Sequence, residues 1–232
     1  MHTIHRHKIS LTGIFLLVSF GLFAQANLPQ YDLKRLHFGF TISTNLSRIA
    51  IERKSNLIGL DTVKSVTHSG VPGIGLGAIS NLHLGNNWDL RLLFPVINFV
   101  QRDLHYQFLS SEKTTAIESA YCDASLEIKF KSDRRKNLRL YVLTGGKISY
   151  DLGSTIDQKR SLTKPVVSLV PLTYGYEIGF GLDLYYEYFK LSPEIKFHST
   201  FGNAMYRDGY IYTDILNGLS PQLIQISFHF EG

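Results

Sequence analysis

Leu172-Thr173-Tyr174-Gly175-Tyr176-Glu177-Ile178-Gly179-Phe180-Gly181-Leu182-Asp183 alternates without a break between large apolar or aromatic residues and residues that are polar, charged or glycine. Successive side chains of a strand point to opposite faces, so a period of two describes a strand with one face in an apolar medium and the other in a polar space. Downstream, after a short turn near Tyr185 to Glu187, Phe189, Leu191, Ile195, Phe197 and Phe201 oppose Lys190, Ser192, Glu194, Lys196 and His198. A last run from Gln222 to Phe230 sets Ile224, Ile226, Phe228 and Phe230 against Gln225, Ser227 and His229.

The same rhythm extends upstream. Leu36 to Ser47 carries Leu36, Phe38, Phe40, Ile42 and Leu46 on one face and His37, Gly39, Thr41, Ser43, Asn45 and Ser47 on the other. Ile74, Leu76, Ala78, Leu82 and Leu84 oppose Gly73, Gly75, Gly77, Asn81 and His83 before Gly85-Asn86-Asn87 turns the chain. Trp88, Leu90, Leu92, Phe94 and Val96 then oppose Asp89 and Arg91, with Leu93, Pro95, Ile97 and Phe99 blurring the second face. Ala116 to Phe130 alternates Ala120, Cys122, Ala124, Leu126 and Ile128 with Tyr121, Asp123, Ser125, Glu127 and Lys129. Beyond a basic turn, Lys131 to Asn137, a fifth strand from Leu138 to Asp151 points Arg139, Tyr141, Gly145 and Lys147 to its polar side.

Eight strands result. Their connections alternate between short (near residues 85, 134 and 186) and longer (49–70, 109–115, 153–171 and 202–220). This spacing predicts an all-β fold, an eight-stranded antiparallel up-and-down transmembrane β-barrel with short periplasmic turns and longer external loops. A secreted β-sandwich or lipocalin-like barrel would alternate too, with its apolar faces meeting inside. Glycines and opposite charges crowding the polar face, and aromatics near the ends of the apolar face, favour the membrane barrel.

The chain has 232 residues, 44% hydrophobic and only 19% charged, with 19 glycines. That composition is unlike a disordered chain or a coiled coil. His2, His5, Arg6, His7 and Lys8 precede an apolar stretch from Ile14 to Phe23, and Ala24-Gln25-Ala26 offers small residues for cleavage. Residues 1–26 therefore read as a secretory signal peptide and 27–232 as the barrel domain. The stretch is too short for a membrane anchor, and no cysteine stands at the cleavage site for lipoprotein processing. The expected location is the outer membrane.

On the inward face, Arg91, Asp123, Glu127, Lys129, Arg139, Lys147, Glu177, Asp183 and Glu194 form the expected luminal charge network, a structural ladder of ion pairs in an interior only wide enough for side chains. Lys131, Arg134, Arg135 and Lys136 make one periplasmic turn basic, a candidate docking turn for an acidic partner. Arg48, Arg53, Lys54, Lys64, Lys113, Lys159, Arg160, Lys164 and Arg207 lie in or beside the external loops, where cations can meet lipid phosphates.

No catalytic residue, cofactor site or metal site is assigned. The lone Cys122, placed on the lipid face, can form neither an internal disulfide nor a multi-cysteine metal centre. His105, His198, Ser199, Thr200 and Asp208 are scattered near rims at no telling spacing. The glycines of Gly73 to Gly77 fall on alternate positions of a strand with no helix after them, unlike a phosphate-binding loop. The net charge of +5, partly from the leader, is too scattered for nucleic acid.

Phe38-Gly39-Phe40, Pro72-Gly73-Ile74-Gly75-Leu76, Leu90-Arg91-Leu92-Leu93 with Gln101-Arg102-Asp103-Leu104, Tyr141-Val142-Leu143-Thr144-Gly145-Gly146, Tyr176 to Asp183, and Phe189-Lys190-Leu191-Ser192-Pro193-Glu194-Ile195-Lys196-Phe197 follow one another along the chain. In this order they resemble the PorT family of outer-membrane proteins from the type IX secretion machinery. The fourth strand departs from the family's Glu-Phe-Pro-like stretch with Leu126-Glu127-Ile128-Lys129, which leaves room for a paralogue with a different partner. The resemblance implies a non-catalytic barrel that helps assemble or stabilise an export apparatus and is not its conduit, with outer-membrane lipid and other secretion-apparatus proteins as partners. An outer-membrane lipid-modifying enzyme and a small-solute channel are the alternative readings.

Overall fold

The computed structural model describes residues 27–53, 63–108, 112–153, 169–206 and 216–232. Among the described residues a 3₁₀ turn, Tyr31–Leu33, precedes eight strands: β1 Leu36–Arg53, β2 Val63–His83, β3 Trp88–Phe108, β4 Glu112–Lys131, β5 Leu138–Asp151, β6 Leu172–Tyr185, β7 Lys190–Thr200 and β8 Leu216–Glu231. Each strand pairs antiparallel with the next, and β1 meets β8 from Gly39 opposite Glu231 to Arg53 opposite Leu216, so the barrel closes. Closure is what lipid demands, because an open edge would leave backbone N–H and C=O groups without partners in hydrocarbon.

Exposure decides which face is out. Phe38, Phe180 and Ile178 are 63%, 61% and 50% exposed, whereas Arg91, Glu177 and Asp183 are at most 1% exposed. A sandwich or lipocalin would show the reverse. Aromatics gird the short-turn end of the barrel, with Trp88 on Phe130 at 4.8 Å and Phe40 stacked on Phe230 at 4.9 Å. At the other end Tyr176 packs on Phe201 at 5.6 Å. Amphipathic rings belong at the two water interfaces of a bilayer.

β1, β2, β3, β4 and β8 run past the alternating segments that mark them in the sequence. At ~3.3 Å per residue, 21-residue β2 and β3 are roughly 70 Å long, more than a tilted strand needs to cross an apolar band of about 25 Å. Above Ile74 and Phe99 the outward side chains become Thr67, Ser69, Gln101, Asp103 and His105, so the apolar stripe stops while the ladder continues. Residues 49–53, 63–70, 112–115 and 216–220, read as external loop, are therefore strand. Arg48, Arg53, Lys64 and Lys113 sit in these strands, whereas Lys54, Lys159, Arg160, Lys164 and Arg207 lie outside the described residues.

The blurred face of the third strand has a single cause. Between Leu93 and Val96 the register of β3 slips by one residue against both neighbours, and Phe94 and Pro95 both lie exposed. This bulge reverses the parity beyond it. Val96, expected on the apolar outer face, is 4% exposed and packs inward with Ile79 and Leu93. Ile97 and Phe99 turn outward in its place, and Asn98, Val100 and Arg102 turn inward.

Candidate functional site

The lumen is filled in tiers. Nearest the short turns, Asp89 accepts hydrogen bonds from Lys131 Nζ at 2.6 Å and Asn81 Nδ2 at 2.9 Å. Lys129 reaches both oxygens of Asp183 at 2.9 Å, Ser192 donates to the same carboxylate at 2.6 Å, and Lys190 pairs with Glu231 at 3.0 Å. These strands alternate strictly, so every second residue falls on one wall of a space too narrow for water to replace the missing partners.

In the middle tier, Arg91 lies 2.6 Å from Glu194 and 3.5 Å from Glu127. Lys196 is 2.6 Å from Glu127 and within 4 Å of Glu177 (3.8 Å) and Glu194 (3.6 Å). Tyr141 joins the two lower tiers. Its hydroxyl donates to Glu194 at 2.7 Å, while Lys129 Nζ stands 3.6 Å from its ring centroid. Space for that ring exists because the neighbouring position on β6 is Gly181, where a Cβ would lie 2.5 Å from the tyrosine oxygen. Hence the glycines opposite bulky polar side chains: in a small barrel one wall must be bare where the other is large.

Toward the far end, Lys147 pairs with Asp123 at 2.7 Å, and Asn98 donates to the same carboxylate at 2.6 Å. Above them Val100, Tyr121 and Leu223 make an apolar cluster inside the barrel, with Ile49 and Leu219 also fully buried. Of the nine residues expected in the luminal network, eight meet across the lumen in this way. Arg139 does not. Its partner at 3.0 Å is Asp32, which belongs to no strand.

Asp32 lies in a segment that closes the short-turn mouth. Residues 27–35 fold back under the barrel: Tyr31 is buried, stacks on His37 at 3.7 Å and donates from its hydroxyl to Glu231 at 3.1 Å. Burial, and then the charge of Glu231, push the Tyr31 phenol far above its ordinary range. The backbone N–H of Asn27 donates to Asn137 Oδ1 at 2.8 Å, and its side-chain amide donates to the carbonyl of Tyr185 at 3.0 Å. Arg134 donates to the carbonyls of Asn27 and Leu28 and stacks over Tyr185 at 3.7 Å. The basic turn is thus smaller as a surface than its sequence suggests. Lys131 points into the lumen and Arg134 holds the plug, leaving Arg135 and Lys136 exposed.

The rim candidates do not come together. His198 and Thr200 face the lumen, whereas His105 stands on the outer face of the projecting wall, 2.9 Å from Ser69 Oγ and 2.9 Å from Thr114 Oγ1. That serine–histidine contact lies on the exposed outer face of the sheet, between β2 and β3. Asp208 lies outside the described residues. Among the described residues no group of His, Cys, Asp and Glu could hold a metal ion, and Cys122 is half-buried on the lipid side. Sequence reasoning missed Lys190, Lys196, His229 and Tyr141 as members of the network, although each stands on a polar face that the alternation had already marked, and Glu231, one residue beyond the last run.

Among solved structures, the outer membrane protein OprG from Pseudomonas aeruginosa is similar at 12% identity, over 85% of this chain and 94% of that one, with a TM-score of 0.46. Neisserial surface protein A is similar at 6% identity over 83% and 95% (TM-score 0.42). Ail, the attachment invasion locus protein of Yersinia pestis, is similar at 12% over 86% and 100% (TM-score 0.38). No curated protein matches the chain. The model of the outer membrane protein beta-barrel domain family matches residues 23–205. With a closed eight-stranded barrel whose apolar face is turned outward, the chain belongs to the outer membrane protein beta-barrel domain family and resides in the outer membrane.

Proposed function

We propose that this barrel is a non-catalytic component of a protein-export apparatus in the outer membrane, similar to that of type IX secretion, and that it assembles or stabilises the machinery without serving as its conduit. One observation carries the second half of the reading: the lumen is crossed by buried ion pairs at every level from Asp89 to Asp123, and its short-turn mouth is occupied by residues 27–35. A solute would have to break several such pairs at once, each costing several kcal/mol to separate in a dry interior. Contacts with partners then fall to the outside of the molecule, with lipid around the apolar band and other apparatus proteins on the exposed wall and turns. The assignment to an export apparatus rests on the motif resemblance of Phe38-Gly39-Phe40 and Ser192-Pro193-Glu194-Ile195-Lys196.

Deleting the gene and following exported cargo tests the role. Cargo should accumulate in the periplasm while the purified barrel gives no steady conductance in planar bilayers. Normal export in the deletion strain removes the proposal, and stable conductance replaces it with the small-solute channel.

A further inference from the structure

β5 ends at Asp151, opposite Tyr121, and the chain turns at Leu152 and Gly153. β4 does not stop there. It runs on to Glu112 with β3 beside it, and from Thr114 to Ser119 no described residue pairs with its other edge. Residues of a strand direct their backbone groups to its two edges alternately, and Ala120 directs its own to the β5 side, where its carbonyl accepts from the Leu152 N–H at 2.8 Å. Glu118, Ala116 and Thr114 therefore present N–H and C=O groups to the open edge. Sheets guard such edges with proline, lysine or a bulge. Thr114-Thr115-Ala116-Ile117-Glu118-Ser119 has neither proline nor lysine, and its register against β3 is unbroken. The opposite margin of the wall differs, because the register of β2 slips between Val63 and Ser65 and the Ser47 carbonyl of β1 lies against Gly70.

A cavity of about 580 Å³ opens on the outer face at the foot of this edge. Ile74, Phe99 and Ala120 form its apolar floor, Gln101 and Glu118 stand opposite each other on its side away from the membrane, and Gly153 flanks it beyond β4. Glu118 is exposed, and among the described residues no cation pairs with it. Asp103, diagonally across on β3, adds a second carboxylate to this side. A strand laid along β4 would set one outward side chain directly opposite Glu118, above the cavity. A lysine or arginine at that place can lay its methylenes over Phe99 and Ala120 while its charge meets Glu118.

We propose that β4 from Thr114 to Ser119 receives an extended segment of a partner protein as an added strand, anchored by a lysine or arginine opposite Glu118. Main-chain hydrogen bonds supply the affinity, and the cavity with its acidic lip supplies the selectivity. This gives the exposed wall of the proposed function a definite partner chemistry, and it rests on that reading only in making the partner an apparatus protein. Binding to the purified barrel is measured without export, so either idea can fail while the other stands.

The probe is a fluorescently labelled octapeptide alternating valine with threonine and carrying one central lysine, titrated onto the full mature barrel in detergent micelles and followed by anisotropy. Saturable binding is expected. It should weaken about tenfold or more on N-methylation of alternate peptide amides, and equally with Ala116→Pro, which removes an N–H from the open edge and none from the β3 ladder. Ala116→Val should bind as the unaltered barrel does, and Glu118→Lys should prefer a peptide with glutamate in place of the lysine. Heat-modifiable migration checks the folding of each variant. Should Ala116→Pro fail to fold, the N-methylated peptide on the unaltered barrel still decides. The amides of Ala116 and Glu118 should exchange rapidly in the free barrel and become protected by the peptide. No saturable binding, undiminished binding of the N-methylated peptide, or amides already protected in the free barrel overturns the proposal, the last by showing that the chain covers its own edge.

Discussion

Asp32 and Arg139 lie 3.0 Å apart, and the contact ties the segment preceding the first strand to β5, on the far side of the barrel's sequence. Arg134 shares the same carboxylate at 3.6 Å. Asp32→Ala leaves two guanidiniums without their partner at a mouth that is only partly shielded. We expect a loss of about 1–2 kcal/mol, below the cost of breaking a fully buried pair. A drop in the urea midpoint of the barrel folded into vesicles, together with faster protease clipping near residues 27–35, would show it. An unchanged clipping rate would mean that Tyr31 and Asn27 hold the plug alone.

Arg91 and Lys196 share the three carboxylates of the middle tier, with Arg91 on Glu194 and Glu127. Arg91→Met should cost about 3–5 kcal/mol, the range for stranding buried charges. Unfolding in urea would read it, or failure to attain the compact heat-modifiable form. Exchanging Arg91 and Glu194 for Met and Leu together should be milder than the single change, since neither charge is then left alone.

Orientation in the bilayer can be checked with one substitution placed at two heights. Ile178→Arg puts a charge into the apolar band and should destabilise by about 2–4 kcal/mol. Thr67→Arg, on the outward face of the projecting wall opposite His105, should cost about 0–1 kcal/mol. Equal penalties at both positions would place the wall inside the membrane.

Alkaline pH should loosen the plug. The folded Tyr31 phenol titrates far above the unfolded value of about 10, so the unfolded chain binds fewer protons once the pH passes that value, and stability must fall as pH rises. The contribution is fully present below pH ~10. Tyr31→Phe should flatten the decline between pH 10 and 12, followed by urea unfolding in vesicles. A wild-type curve that stays level across that interval would contradict the buried phenol.

The barrel was legible because lipid and lumen impose opposite demands on neighbouring residues, as the run from Leu172 to Asp183 displays. Two things were hidden. The projecting halves of β2, β3 and β4 turn Thr67, Ser69, Gln101, His105, Thr114 and Glu118 to the outside, so the apolar outward stripe that marks the other segments is missing there. The slip at Phe94 and Pro95 looked like noise because a pattern of fixed period has no place for an extra residue. In the lumen, the alternation marked which residues face inward, but partners come from register across strands, so nothing in the sequence joined Arg91 to Glu194 or linked Arg139 to a residue outside the sheet.

The extra residue in β3 also sets how this gene can tolerate change. Removing the codon for Pro95 would restore a regular strand with Phe94 outward and Val96 inward, whereas removing the codon for Ile97 would keep every residue beyond it yet turn each one around, bringing Phe99 into the crowded interior and pushing Arg102 out through the wall. The same deletion in a surface connection would be nearly silent. A frame-preserving loss of three nucleotides at this point is therefore equivalent to rewriting half a strand.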